Sequence, residues 1–430
     1  VRSASDTAVV KILLVTEEIP DRQQTAALNY VRHFIEYCAA RGAELTILVT
    51  GHRFDRFIMR ANQIFPYATP RILGPALVRV GPWLLVVDPR SWRHTIFVWI
   101  MRSGGRRLAS AVLQFRSRIR AHTAIIGRWL EAREARRLVG AIRAANPDVI
   151  LVNTIFLTDI LDAKPAHTRA AVITHDVFHE RTSAFEARGL AVRPAVTKEH
   201  ESQLLRRFDA IIAVSEEDAR EFRRLAPNAQ TVVVTPSRPD VSSATRRPDA
   251  RRCVFLGTSN ALNVDGMSWF LSEVWPKVVA GAPDARLELI GSVCNAITVE
   301  DPTLIKRYIV DDLAPTLADA SFAVNPLRAG SGLKMKMLDY FANGLPAITT
   351  STGASGFPRN GAEPFVVCDE ATEFAEAVLG WLRDPALAAL HAARCRAYVP
   401  LFSRESAFIE LDRVLGMSTG KSSKTAVDER

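Results

Sequence analysis

The chain has 430 residues, 48% of them hydrophobic and 23% charged, with 55 Lys and Arg against 46 Asp and Glu for a formal charge of +9. That length accommodates two or three domains with full cores, and the ordinary apolar fraction excludes an intrinsically disordered or disulfide-stapled chain. The charge is concentrated: residues 90–143 hold 13 Arg, no Lys and only Glu131 and Glu134 as acids, a net +11 that leaves −2 for the rest.

Val1–Thr7 is polar and lacks the apolar stretch of a signal peptide, and no run approaches the ~18 apolar residues of a membrane span. From Val9 onward, short β-branched runs alternate with longer helical stretches. Val9–Val15, Leu45–Val49, Val149–Val152, Ala171–Thr174, Ala210–Val214 and Val232–Thr235 are almost continuously apolar, which predicts parallel strands covered on both faces. Within the basic segment, Leu108, Val112, Phe115 and Ile119 recur at helical spacing, with Arg106, Arg107, Arg116, Arg118 and Arg120 around them and Trp92, Phe97, Trp99 and Trp129 nearby. This predicts an amphipathic helix suited to an anionic bilayer, each basic residue contributing about 1 kcal/mol near the headgroups. The alternative is a helix packed on its own domain with solvated arginines. No nucleic-acid-binding motif accompanies the charge.

His175 and Asp176 follow a predicted strand. His179 stands four residues on, but two histidines without a third ligand do not predict zinc. Ser237–Asp249, rich in Pro, Ser and charge, has the composition of a linker. A second set of strands follows at Cys253–Leu256, Leu287–Ile290, Phe322–Asn325, Ala347–Thr350 and Phe365–Val367. Two doubly wound α/β domains result, and their ligands are expected outside the carboxyl ends of the strands. The last strong helix, near Arg404–Leu415, leads into a polar tail expected to be disordered. Cys38, Cys253, Cys294, Cys368 and Cys395 lie far apart and predict buried free thiols in a reducing compartment. Tyr37, Trp83, Trp269 and Trp275 are expected as core or interface aromatics.

The densest chemistry lies in Asn325–Thr352, NPLRAGSGLKMKMLDYFANGLPAITTST. Gly330, Ser331 and Gly332 are expected to open a helix carrying Lys334, Lys336 and Asp339 and stopping at Asn343-Gly344. Glycines there let backbone N–H groups approach an anion, to which the helix end adds roughly half a positive charge. Lysines in the first turns are unfavourable without an anionic partner, and a diphosphate would supply one. Asp339, about two turns further in, could accept hydrogen bonds from sugar hydroxyls. An ordinary Gly-containing loop with solvated lysines would have the same spacing.

Asn325–Gly356 resembles the donor-binding signature of retaining glycosyltransferases of family 4, which have the GT-B architecture of two Rossmann-like domains facing a cleft. The resemblance extends through Val254–Val278, Leu287–Ser292 and Tyr308–Gly332. It is weaker in Lys11–Pro20, Val172–Phe185 and Arg206–Ala219. It implies that Asp339 binds the nucleotide ribose, and that Lys336, with Lys334 and Arg328 beside it, meets the donor diphosphate. Gly330 and Ser331 to Leu333 would supply N–H groups, and Ile309, Val310 and Leu313 would flank the base. Gly257 and Thr258 would abut the phosphates, while His175, with Asp176, would face the transferred sugar. The chain departs from the family pattern in Asp339, one methylene shorter than Glu, in Ser331, and in Asp21-Arg22-Gln23-Gln24, where the family has a glycine-rich loop.

The expected fold is therefore α/β of GT-B type, two Rossmann-like doubly wound domains with an interdomain cleft. Its parts are an acceptor domain over residues 1–236, a linker over 237–249, a donor domain over 250–400, a helix over 401–416 crossing back to the first domain, and a tail over 417–430. The expected function is retaining, metal-independent transfer of a sugar from a nucleoside-diphosphate donor to a saccharide or lipid-linked acceptor, with no cofactor, in glycolipid or polysaccharide assembly. The free thiols and the basic segment lead to an expected place in the cytoplasm, peripheral on the inner face of the cytoplasmic membrane. A catalytically silent nucleotide-sugar-binding partner protein and a nucleotide-sugar epimerase of the same fold are the alternatives.

Overall fold

The computed structural model describes residues 9–20, 26–65, 68–102, 123–237, 246–308, 310, 312–330 and 332–417. The first domain contains β1 (Lys11–Thr16), β2 (Glu44–Val49), β3 (Ile58–Arg60), β4 (Arg71–Leu73), β5 (Leu77–Val80), β6 (Trp83–Val86), β7 (Thr123–Ile125), β8 (Val149–Asn153), β9 (Arg169–Ile173), β10 (Ala191–Arg193), β11 (Ala210–Ala213) and β12 (Gln230–Val233). Seven of these form a sheet in the order β12-β11-β9-β8-β1-β2-β4, parallel throughout. Strands such as Val149–Asn153 are buried along their whole length, which explains their continuous apolar character. The order reverses between β8 and β1, the switch point at which such sheets open a crevice.

The second domain contains β13 (Asp249–Leu256), β14 (Arg286–Ile290), β15 (Leu304–Arg307), β16 (Ala320–Asn325), β17 (Ala347–Thr349) and β18 (Phe365–Val367). They form one parallel sheet in the order β15-β14-β13-β16-β17-β18, with its switch point between β13 and β16. Most of the expected linker lies outside the described residues. Arg246, near its end, is already anchored in the second domain, donating to Gly344 O at 2.6 Å and Ala320 O at 2.7 Å.

The helix Arg404–Leu415 returns to the first domain. Asp412 accepts from Tyr37 Oη at 2.8 Å and from both Arg41 Nε and Nη2 at 2.8 and 2.7 Å, and Arg404 pairs with Glu36 at 3.1 Å. All five cysteines are buried and free, and Tyr37 and Trp275 are core residues. Trp83 is not: it lies on an outer face and is exposed. Residues 103–122 and 418–430 lie outside the described residues, and with them the expected amphipathic helix, its five arginines and the tail.

Candidate active site

The two switch points face one another across the cleft. On the first-domain side, β1 ends at Thr16, β8 at Asn153, and His175 follows β9. Asn153 Nδ2 donates to Thr16 Oγ1 at 3.2 Å, which leaves its Oδ1 as acceptor for His175 Nε2 at 2.6 Å. That arrangement selects the tautomer protonated at Nε2 and leaves Nδ1 with a free lone pair. The imidazole packs edge-on against Tyr30, 5.7 Å between centroids, and Tyr30 Oη donates to Val234 O. Burial, more than the nearby Arg181, lowers the His175 pKa to about 4, so the ring is neutral at physiological pH. Thr154, directly after Asn153, holds φ at +84°, a strained value for a β-branched residue of the kind that collects at functional sites. Asp176 forms an ion pair with Arg181.

On the second-domain side, β13 ends at Leu256 and the chain turns at Gly257. A Cβ there would stand 2.6 Å from the Phe255 ring, and Gly291, at φ +99°, sits against Gly257 O for the same lack of room. Thr258 O and Oγ1 accept from Asn263 Nδ2 at 3.1 and 3.2 Å, and Asn263 Oδ1 accepts from Lys336 Nζ at 2.6 Å. Lys336 Nζ also lies 4.2 Å above the Phe255 ring centroid. Its pKa falls to about 7, through burial first and the neighbouring Lys334 charge second. Lys334 Nζ donates to Gly332 O at 2.6 Å, and burial lowers its pKa to about 8 against the pull of Asp176 and Asp218.

The helix starts later than expected. It spans Met335–Ala342, and Lys334 is its capping residue with no side-chain cap, because Gly330 and Gly332 take φ of +124° and +71°, values outside helical space. Lys336 therefore sits in the first turn, and Asp339 follows one turn later, rather than two, on the same face. Leu333 is buried beside Gly356, while Val310 and Leu313 are partly buried against the core. Arg328 does not join this group: it is exposed and its guanidinium lies over Trp269 at 5.2 Å. Ile309 and Ser331 lie outside the described residues, as do Asp21 to Gln24.

The walls touch at Gly332. A Cβ there would come within 2.7 Å of His175 O and 2.9 Å of Asp176 Oδ1, so only glycine lets the lysine loop close on the histidine. Arg188 reinforces the closure, pairing with Asp265 at 3.2 Å and donating to Arg328 O at 2.8 Å, and Ser355 Oγ donates to Glu217 at 2.8 Å. Asn153, Tyr30, Asn263 and Phe255 carry no local sequence signal. Nor does Asp218, whose pKa burial raises to about 7 and whose Oδ2 is buried without a hydrogen-bond partner. His179, Glu180 and Glu221 offer ligand atoms within 4.8 Å of one another, but Glu221 is already neutralised by Lys198 at 2.7 Å and Arg224 at 3.2 Å. His179 and Glu221 belong to an ion-pair network with Glu201, Lys198 and Arg224.

Residues 250–384 match the family model described as glycosyl transferases group 1, and residues 89–238 match that described as glycosyltransferase family 4. A curated relative, an uncharacterized 44.6 kDa protein in the cps region of Klebsiella pneumoniae, is 23% identical over 252 residues, 54% of this chain; the match spans 63% of the relative's length. Among solved structures, Anabaena Alr3699/HepE in complex with UDP superposes with a TM-score of 0.60 at 12% identity, covering 95% of this chain and 100% of that one. Sucrose-phosphate synthase from Thermosynechococcus elongatus gives 0.61 at 16%, covering 94% and 97%. TarM gives 0.54 at 12%, covering 65% of this chain and 57% of TarM. Two parallel α/β domains and these superpositions make the chain a GT-B protein by fold, and the two family matches liken part of each domain to glycosyltransferases.

Proposed function

We propose that the chain transfers a sugar from a nucleoside-diphosphate donor to an acceptor hydroxyl, with retention and without a metal ion. Lys336 carries the reading. It is an amine desolvated at a helix N-terminus at the sheet's switch point, bonded to a neutral amide, and short of the anionic partner its position calls for. A donor diphosphate would meet Lys336, Lys334 and the N–H groups between Gly332 and Met337, with Gly257 and Thr258 against it and Asp339 one turn further for the ribose. Lys334 and Lys336 would offset the charge that grows on the leaving diphosphate. The UDP complex of the Anabaena protein of like fold is consistent with this donor class.

In the transfer, the acceptor oxygen forms a bond to the anomeric carbon as the bond from that carbon to the phosphate oxygen breaks. The electron pair leaves on the diphosphate, and an oxygen of that diphosphate takes the acceptor proton on the same face. His175, neutral and oriented by Asn153, would accept a sugar hydroxyl hydrogen bond at Nδ1, with Asp176 fixed beside it by Arg181. We further propose a saccharide or lipid-linked acceptor in glycolipid or polysaccharide assembly, and a peripheral position on the inner face of the cytoplasmic membrane. The cps region of the Klebsiella relative supports the first. No described helix is long and apolar enough to cross a membrane.

Incubation with UDP-, GDP- and ADP-sugars and a membrane extract should release free nucleoside diphosphate and form glycosylated product with one donor. Lys336→Met should abolish donor binding and Lys277→Ala leave it intact. Equal affinities in the two variants would sink the assignment.

A further inference from the structure

The first domain carries a surface built inside out. Strands β3, β6 and β5 form a small antiparallel sheet in which Ile58, Leu85 and Val78 share one row and Arg60, Trp83 and Val80 the next. These rows lie on the face opposite Leu84 and Val86, which are buried in the domain core. An antiparallel sheet with one face on the core ordinarily turns polar residues to water. Here Ile58, Val78, Val80 and Trp83 are turned out instead, each 45% to 56% exposed.

The helix Pro89–Arg102 repeats the inversion. Its inner positions are Ser91 and Thr95, buried, with Thr95 Oγ1 donating to Phe54 O at 2.8 Å. Its outer stripe is Trp92, Ile96, Trp99 and Ile100, at helical spacing and 41% to 62% exposed. Trp92 Nε1 donates to Val86 O at 3.0 Å, tying the helix to the sheet. Apolar surface of this extent marks a contact site.

Charge decides what the contact is. Arg60, Arg90 and Arg93 are exposed on these two elements, with the Arg60 guanidinium 5.7 Å over Trp83. From Pro89 to Leu130 there are nine Arg and no Lys, Asp or Glu. The bordering acids, Asp55 and Asp88, face His94 at 3.5 Å and His52 at 3.2 Å. A second copy docking isologously would bring two like-charged rims together. An anionic bilayer reverses that sign: tryptophans settle at the headgroup level, aliphatic side chains reach the acyl boundary, and arginines meet phosphates.

We propose that the outer face of the β3-β6-β5 sheet and the outer stripe of the helix Pro89–Arg102 dock this chain onto an anionic phospholipid surface. The proposal rests on the peripheral placement suggested above and is independent of glycosyl transfer.

The full chain should co-sediment with phosphatidylcholine vesicles containing phosphatidylglycerol, more weakly with phosphatidylcholine alone, and less as salt is raised. In wild-type protein, brominated lipid should quench tryptophan emission. Val80→Asp and Ile96→Asp, one on each element, should each weaken vesicle binding about tenfold or more while melting and nucleoside-diphosphate binding stay unchanged. Unaltered vesicle binding in both variants would overturn the proposal, as would lipid binding indifferent to charge and salt. A wild-type dimer that Ile96→Asp dissociates, without vesicle binding, would overturn it in favour of self-association. Vesicle binding that obeys these rules in a protein binding no nucleotide-sugar would uphold the docking surface and fail the transferase reading alone.

Discussion

Raising the pH from about 6 to about 9 discharges both cleft lysines before a nucleotide arrives, and the cost to binding follows from their surroundings. Burial holds Lys336 at about 7 and Lys334 at about 8 in the free protein. A bound diphosphate favours the charged amines and returns both toward ~10. The ammonium forms bind, so affinity is complete below the free pKa values and falls as pH rises through them. At pH about 9, Lys336 should cost about 100-fold and Lys334 about tenfold, together about 1,000-fold or ~4 kcal/mol. The test is calorimetry with a nucleotide-sugar in two buffers of different ionisation enthalpy. At pH about 8, binding should take up roughly 1.4 protons, as expected of a pair with these free values. Lys336→Arg, which keeps the charge but does not titrate, should leave about half a proton. Unfolding cannot mimic this. Both lysines titrate lower in the fold than in the open chain, so stability of the free protein gains from them as pH rises from about 7 to about 10. A dissociation constant flat across this range, with no proton uptake, would refute the placement of the diphosphate on these lysines.

Asn263→Asp should hand Lys336 a permanent counter-ion, weakening donor binding about 10- to 100-fold at pH about 6 and flattening its pH dependence, both read in the same titrations. Gly332→Ala combines a backbone cost of about 1 kcal/mol with a methyl driven at His175 O, so turnover should collapse while the melting temperature falls only slightly. Gly189→Ala, at φ +66° with nothing within 4 Å, should show the backbone cost alone. His175→Ala should lower kcat about 100-fold with little change in donor Kd, and because the ring is held near 4, the wild-type rate profile should show no histidine ionisation near 6.5. Asp412→Ala strands Arg41 and the Tyr37 hydroxyl and should cost about 3 kcal/mol in urea unfolding, with Arg41→Ala/Asp412→Ala recovering part of it.

The main sheets were legible because strands buried on both faces have to be apolar throughout, and each of the eleven apolar runs in the sequence is a strand of one sheet or the other. Several of the strands that escaped are governed by another rule. Leu304–Arg307, on a sheet edge, mixes Lys306 and Arg307 with its apolar residues. Strands β3, β5 and β6 are three or four residues long, and their outward side chains are as apolar as their inward ones, so no alternation announces them. The same inversion explains why Trp83, read as a core or interface aromatic, stands in the open.

The site divides along a similar line. Gly330, Gly332, Lys334 and Lys336 stood out because cations at a helix start contradict the dipole, a conflict written in adjacent residues. What tunes those cations comes from elsewhere in the chain: Phe255 lies 81 positions before Lys336, and Asn263 lies 73 before it. Asn153 likewise reaches His175 from 22 residues away. An anion site can thus be located from sequence by the charge that is out of place. Whether that charge is strong enough to hold an anion, yet desolvated enough to titrate near neutrality, depends on an aromatic face and an amide oxygen that only the folded domain brings within 5 Å. For this reason the lysines' pH response, more than their presence, tests whether the cleft is a diphosphate site or a loop with ordinary solvated amines.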